Sequence, residues 1–174
     1  LADALAPAEA GAITLAGDDP LVDRFAAILE ARGVRFTRDS AAPWAGLRIG
    51  GVAMHLSDGR TAAQVAHELG VPNLAVIDLP LSVNVDAIAL AFAPRVADAE
   101  RKLVEATLIG CGMQAIVLRD VPGLLVARTV AMLVNEASDA VWQGVCSEEA
   151  ADLAMTLGVN YPMGPFAWLE LVGV

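Results

Sequence analysis

The chain has 174 residues, 56% apolar, 18% charged and 5% aromatic, and 11 Lys and Arg against 21 Asp and Glu leave a formal charge of −10. At about 150 residues per domain this length predicts one domain or two small ones, able to bury roughly two-thirds of the unfolded surface without staples. The apolar fraction excludes disorder, and nucleic acid is excluded as a partner because Lys102 and ten scattered arginines form no basic cluster.

Ala12–Ala16 predicts a short buried strand. Gly17-Asp18-Asp19-Pro20 follows, with Asp19 placed to cap a helix and Pro20 at its first position. That helix carries Leu21, Phe25, Ile28 and Leu29 on one face and stops at Gly33. Val34–Thr37 reads as a second strand, and a β-α-β opening of this kind predicts a parallel sheet with a right-handed crossover. A Pro/Gly-interrupted loop (Ala41–Gly46) leads to an extended stretch from Leu47 to Leu56, broken at Gly50-Gly51 by a hairpin turn or a bulge. Ser57-Asp58-Gly59 is a turn, and Thr61–Leu69 a short helix ended by Gly70. Asn73–Asp78 and Ala87–Phe92 read as strands, Pro94 opens a helix running through Ile109, and Gln114–Leu118 is the last strand.

The pattern changes at Asp120. A helix is expected from Pro122 to Gly144. A second helix is capped by Ser147, with Glu148 and Glu149 suiting its N-terminal dipole, and stops at Gly158. A Pro/Gly loop over Asn160–Pro165 leads into a third helix near Phe166. Residues 1–120 carry ten basic and fifteen acidic groups and residues 121–174 one and six, a net −5 in each, so net negative charge per residue roughly doubles across the boundary. The reading is an α/β unit over 1–120 followed by an all-α unit over 121–174. On the long helix Leu124, Leu125, Val126, Val130, Met132, Leu133 and Val134 go nearly all the way round, which predicts burial on most sides. Three helices cannot supply that cover. The α/β unit, further sequence or another subunit must, and an oligomer interface is the favoured source.

Candidate chemistry is sparse. Gly110-Cys111-Gly112-Met113-Gln114-Ala115 has the letters of a dinucleotide fingerprint, but a helix precedes it and a strand follows, the reverse of what pyrophosphate binding needs. It reads as a helix-to-strand turn. Gly17-Asp18-Asp19 stands in the right place but has one glycine, and two carboxylates lie where phosphates would have to. His67 and Glu68, adjacent on a helix, point apart and form no dyad, and His55 lies in a strand. Both histidines read as structural or solvated. Cys111 and Cys146 have no ligand spacing with them, which argues against zinc and against a disulfide framework, and Cys111 reads as small buried packing. No Ser-His-Asp or Gly-x-Ser-x-Gly arrangement occurs. The opening LADALAPAEAGA lacks the positive n-region of a signal peptide. The apolar stretch Thr129–Val134, bracketed by Arg128 and Asn135, falls far short of the ~20 residues that span a bilayer. The default reading is a soluble protein of a reducing cytoplasm.

Three runs stand in fixed order: Asp120-Val-Pro-Gly-Leu-Leu-Val-Ala-Arg-Thr, Asn135-Glu136-Ala137, and Leu157-Gly-Val-Asn-Tyr-Pro-Met-Gly-Pro-Phe. They resemble the C-terminal helical domain of the 3-hydroxyacyl-CoA dehydrogenases, whose pattern is D-x-P-G-F-[IV]-x-N-R, then N-E-A, then G-x-x-[YF]-P-x-G-P-[FL]. The region before them is similar to the reduced Rossmann-fold unit of long family members, through its element order and the Leu103-Val-Glu … Val117-Leu-Arg-Asp run. The resemblance covers nearly the whole chain and implies a reduced Rossmann-like α/β domain over 1–120 and an incomplete helical domain over 121–174.

The departures bear on function. The family places a catalytic Asn immediately before the Arg, and here that position is Ala127. The catalytic His, about a dozen residues before the Glu of the L-V-E run, has no counterpart, since residue 93 is Ala, and the glycine fingerprint is missing. The resemblance therefore implies no catalytic, cofactor-binding or metal-binding residue in this chain. NAD would belong to a parent enzyme that oxidises a 3-hydroxyacyl-CoA, of the 3-hydroxybutyryl-CoA type, to the 3-oxoacyl-CoA. The implied partners are the N-terminal catalytic half of that parent and a second copy in a homodimer, with acyl-CoA reached only through the parent. The family continues with further helices past the position of Val174, so a fragment is expected. The competing reading is a regulatory module in which the helix N-terminus at Pro20 holds a nucleotide or acyl-CoA. The Tyr161–Pro165 loop is expected to serve structure, with Pro and Gly presetting the turn between helices. Asn135 and Glu136 are expected as a buried hydrogen-bonding pair.

Overall fold

The computed structural model describes residues 11–82 and 84–172. The leading segment, expected to be no signal peptide, lies largely outside those residues, as does the chain end at Val174. The contacts divide the chain between Leu124 and Leu125 into two compact units, described in turn.

The first unit is α/β. Its strands are β1 (Ile13–Ala16), β2 (Thr37–Asp39), β3 (Gly46–Ile49), β4 (Val52–Leu56), β5 (Leu74–Ile77), β6 (Ala87–Phe92) and β7 (Gln114–Val117), and its helices are α1 (Pro20–Ala31), α2 (Ala62–Glu68) and α3 (Asp98–Gly110). The strands form one seven-stranded sheet in the order β2-β1-β3-β4-β5-β6-β7. β1 and β2 pair parallel around α1, as the opening pattern predicts.

The sheet as a whole is mixed, which corrects the expectation of a parallel one. β4 with β5 and β6 with β7 are also parallel, whereas β1 with β3, β3 with β4, and β5 with β6 are antiparallel. Connection length is the cause. A parallel neighbour needs a crossover of about a dozen residues or more, usually a helix. Gly50-Gly51 reverses the chain with Ile49 opposite Val52, so the break is a two-residue hairpin. Among the described residues between Ile77 and Ala87 no helix intervenes, so β6 folds back antiparallel. α2 and α3 supply the two remaining crossovers.

All five residues of β4 are buried, and so are Leu74–Ile77 of β5 and Ile88–Phe92 of β6. Because side chains alternate across a strand, this means that both faces of the sheet centre are covered. α1 packs on β1 and β3, α2 on β5 and β6, and α3 on β7 and β3.

Two boundaries move. The strand expected at Val34–Thr37 forms at Thr37–Asp39, because the chain first closes the end of α1. The Gly33 N–H donates to Glu30 O and the Val34 N–H to Leu29 O, with Gly33 left-handed. The helix expected to open at Pro94 begins at Asp98. Pro94 and Arg95 instead occupy the middle of a turn closed by the Val96 N–H on Ala93 O, the place where proline's fixed φ suits a turn.

The second unit holds α4 (Val126–Trp142), α5 (Glu148–Gly158) and α6 (Pro165–Val172), with α6 packed on both of the others. Ser147 caps α5 through the Ala150 N–H, as expected. α4 starts at Val126 rather than Pro122, because Gly123 and Leu124 both take positive φ, 71° and 44°, which a helix cannot contain. The three helices do not themselves supply the cover that the apolar residues of α4 call for. Within this unit Val130 is its one buried residue among those described. The unit's own core is thin: Val130, Ala151, Pro165 and Trp168, with the Tyr161 ring tilted on Trp168 at 5.5 Å.

Candidate functional site

At the first turn of the α/β unit, the Asp19 carboxylate accepts from the Leu21 N–H at 2.7 Å. One orphan donor of the α1 N-terminus is thereby satisfied from within the chain. Gly17 is left-handed and donates its N–H to Asp39 O at 2.9 Å. A Cβ there would sit 2.5 Å from Trp44 O. The glycine is required by a close approach to the backbone of the loop that precedes β3.

The histidines occupy different settings. His55 is buried in β4, with Nδ1 2.5 Å from Leu56 O and its ring stacked on Trp44. The Arg48 guanidinium lies 5.9 Å from the centre of the Trp44 ring. His67 is exposed on α2, and its neighbour Glu68 pairs with Arg60 instead. Arg60 also grips Asp58 through Nε at 3.0 Å. Burial alone would push the Asp58 carboxyl up, but hydrogen bonds from Arg60, with the electrostatic influence of nearby His55 and Arg60, outweigh it and hold the group below its ordinary range. The Asp58 and Glu68 partners hold the Arg60 guanidinium above its usual value. Cys111 is buried at the C-terminal cap of α3, and desolvation pushes its thiol up despite Arg32 nearby. The run from Gly110 to Ala115 is the α3-to-β7 turn, with Gly112 left-handed. Among the described residues no group of three or more His, Cys, Asp and Glu is placed to hold a metal ion.

Two carboxylates that the sequence reading did not single out as caps organise the segments carrying the family-like runs. Asp120 reaches back 58 residues: Oδ1 accepts from the Ala62 N–H at 2.6 Å and Oδ2 from the Ala63 N–H at 2.9 Å. Thr61 Oγ1 takes the Gln64 N–H while Gln64 Oε1 takes the Thr61 N–H, so every donor of the first turn of α2 is satisfied. The Thr61-x-x-Gln64 spacing could have been read as a capping box. Nothing in the local sequence points to Asp120.

In the helical unit, Asp152 on α5 accepts from the Phe166 N–H at 2.8 Å and the Ala167 N–H at 3.0 Å. A Cβ on Gly164 would lie 2.2 Å from the Asp152 carboxyl carbon. The Tyr161–Pro165 loop thus brings α6 onto a carboxylate, with glycine where the carboxylate needs room.

Ala127 lies in the first turn of α4, where a methyl group can neither donate nor accept a hydrogen bond. Asn135 and Glu136 are both exposed, which corrects the expected buried pair. The same unit leaves large apolar side chains uncovered, among them Met132, Trp142, Leu153 and Leu157, with Trp142 84% and Leu157 77% exposed. Leu153 and Leu157, four apart on α5, share one stripe. No helix among the described residues is long and apolar enough to cross a membrane.

Comparison with known proteins agrees with this architecture. Residues 54–122 match the reduced Rossmann-fold domain of 3-hydroxybutyryl-CoA dehydrogenase, and residues 123–174 match the C-terminal domain of 3-hydroxyacyl-CoA dehydrogenase. The chain belongs to the 3-hydroxyacyl-CoA dehydrogenase family, with the architecture of its C-terminal part. It is 43% identical over 117 residues to a 3-hydroxyadipyl-CoA dehydrogenase of Escherichia coli (strain K12), covering 67% of this chain and 24% of that protein. A probable 3-hydroxybutyryl-CoA dehydrogenase of Bacillus subtilis (strain 168) is 40% identical over 63 residues, 36% of this chain and 22% of that protein. The crystal structure of 3-hydroxybutyryl-CoA dehydrogenase from Escherichia coli K12 substr. MG1655 matches with a TM-score of 0.62 and 38% identity, over 71% of this chain and 25% of that one. That of (S)-3-hydroxybutyryl-CoA dehydrogenase from Ralstonia eutropha, at 22% identity and a TM-score of 0.54 over 70% of this chain and 45% of that one, shares the fold. The chain spans about a quarter of the length of the curated relatives it matches.

Proposed function

We propose that this chain is the non-catalytic, structural and dimerisation region of an NAD-dependent 3-hydroxyacyl-CoA dehydrogenase, of the 3-hydroxybutyryl-CoA type. The parent enzyme oxidises the 3-hydroxyl of the acyl-CoA to the 3-oxo group with hydride transfer to NAD, in the cytoplasm. The chain's task is to pack against the catalytic half and to form the homodimer. In this reading residues 1–120 and 121–174 are the working domains.

The uncovered apolar surface of the helical unit carries this reading. Met132, Trp142, Leu153 and Leu157 stand in water on helices whose shared core is small, and large exposed apolar surface marks an interaction site. Ala127 supports the non-catalytic part. The first turn supports it as well: with Asp18 beside it and the Asp19 carboxylate on the α1 N-terminus, these residues do not fit the pyrophosphate of NAD.

Light scattering on the chain is expected to show a dimer that Leu157→Glu converts to monomer. A chain that stays monomeric at high concentration would overturn the dimerisation reading. NADH formation from NAD and 3-hydroxybutyryl-CoA by the chain alone would overturn the non-catalytic one.

A further inference from the structure

A cleft of about 510 Å³ opens on the α/β unit between the end of α2, the entry to β5 and the turn that follows β6. That volume lies within the range of small-molecule sites, about 300–1,000 Å³. Its walls include Ala66, Pro72 and Ala93, with His67 and Arg95 among the lining residues. Gly70 also lines it, and a Cβ there would meet nothing within 4 Å.

The hydrogen-bonding state of this lining is one-sided. Carbonyls at the end of α2 are already engaged: Ala66 O accepts from the Val71 N–H and His67 O from the Gly70 N–H. Ala93 O accepts from the Val96 N–H and from Arg101 Nη2 at 3.5 Å. Neither the His67 ring nor the Arg95 guanidinium has a side-chain hydrogen bond or ion pair among the described residues. The nearest acidic residue in sequence to His67, Glu68, is held by Arg60, and Asp98 opens α3 beyond the turn. The cleft therefore offers free donors over a wall of small apolar side chains. That combination selects an oxyanion with an apolar body.

We propose that this cleft binds a small organic oxyanion, a phosphate monoester or carboxylate, with Arg95 and His67 on the anionic group and its apolar part against Ala66, Pro72 and Ala93. The site is independent of the dimerisation reading, because its lining lies wholly in the α/β unit.

Amide chemical-shift titration of the chain tests it, with inorganic phosphate, phenyl phosphate and butyrate as probes. Saturable shifts confined to residues 63–71 and 93–96 are expected with phenyl phosphate, at lower concentration than with inorganic phosphate. Butyrate binding as well as phenyl phosphate would identify a carboxylate site, and binding of phenyl phosphate alone a phosphate site. Arg95→Gln should weaken binding about tenfold, the scale of one charge-assisted hydrogen bond, and should leave the far-ultraviolet dichroism unchanged. No saturation by about 50 mM of any probe, far weaker than millimolar sites, would overturn the proposal. So would equal affinity for phenyl and inorganic phosphate, or an Arg95→Gln variant that binds like the parent.

Discussion

Replacing Asp120 by Ala tests whether the α/β unit depends on a carboxylate at its far end. The substitution removes the acceptor of two backbone donors, those of Ala62 and Ala63. Ala62 is fully buried, so water cannot replace the lost bond at that N–H, whereas Ala63 is exposed and recovers part of it. Loss of a helix cap costs about 0.5–2 kcal/mol and loss of a hydrogen bond to a charged group about 1.5–3 kcal/mol. Allowing for rehydration of Ala63, the expected cost is about 2 kcal/mol. That corresponds to a fall in Tm of roughly 4–8 °C for a chain of this length. If opening of α2 is local, amide exchange at Ala62 and Ala63 should quicken about 30-fold, since about 1.4 kcal/mol is a factor of ten. Asp120→Asn keeps one acceptor oxygen and should lose about half as much. A Tm within about 1 °C of the parent, with unchanged exchange at both amides, would refute the capping argument.

The same reasoning in the helical unit predicts that Asp152→Ala and Gly164→Ala each destabilise by about 1–3 kcal/mol, one by deleting the acceptor and the other by displacing it. Both act on the same two bonds, so urea unfolding of the double variant should show clearly less than the sum. A fully additive result would mean that Gly164 is needed for another reason. Arg60→Gln should lower stability near neutral pH by at most about 1 kcal/mol, because the partners are partly exposed. The folded Asp58 carboxyl lies below its ordinary value of about 3.9, so its contribution is present above that value and is lost as pH falls through the lower folded one. The gap between parent and Arg60→Gln in thermal unfolding should therefore persist to about pH 4 and close below it. A gap that widens on acidification would have the sign wrong.

Much of the fold was legible because its signals are local. Asp19-Pro20, the stop at Gly33, the Gly50-Gly51 hairpin, the Ser147 cap and the stop at Gly158 act within a few residues of where they stand. The family-like runs made the class readable for the same reason, since they keep their letters in order along the chain. Strand direction was not legible. It depends on the length of each connection and on which partner the returning strand meets, and the helix-free link from β5 to β6 turned a predicted parallel sheet into a mixed one.

The candidate sites divide in the same way. Ala127 and the carboxylates of the first turn are departures that can be read letter by letter. The Asp120 clasp on α2, the Asp152 clasp on α6, and the meeting of His67 with Arg95 at one cleft join residues 58, 14 and 28 positions apart. No periodicity or motif spans those distances, because only the packed sheet and helices bring the groups to one place. The apolar character of α4 was plain in its sequence. Which of its residues lie buried within the unit and which are left for a partner was decided by how little core α5 and α6 can form around it.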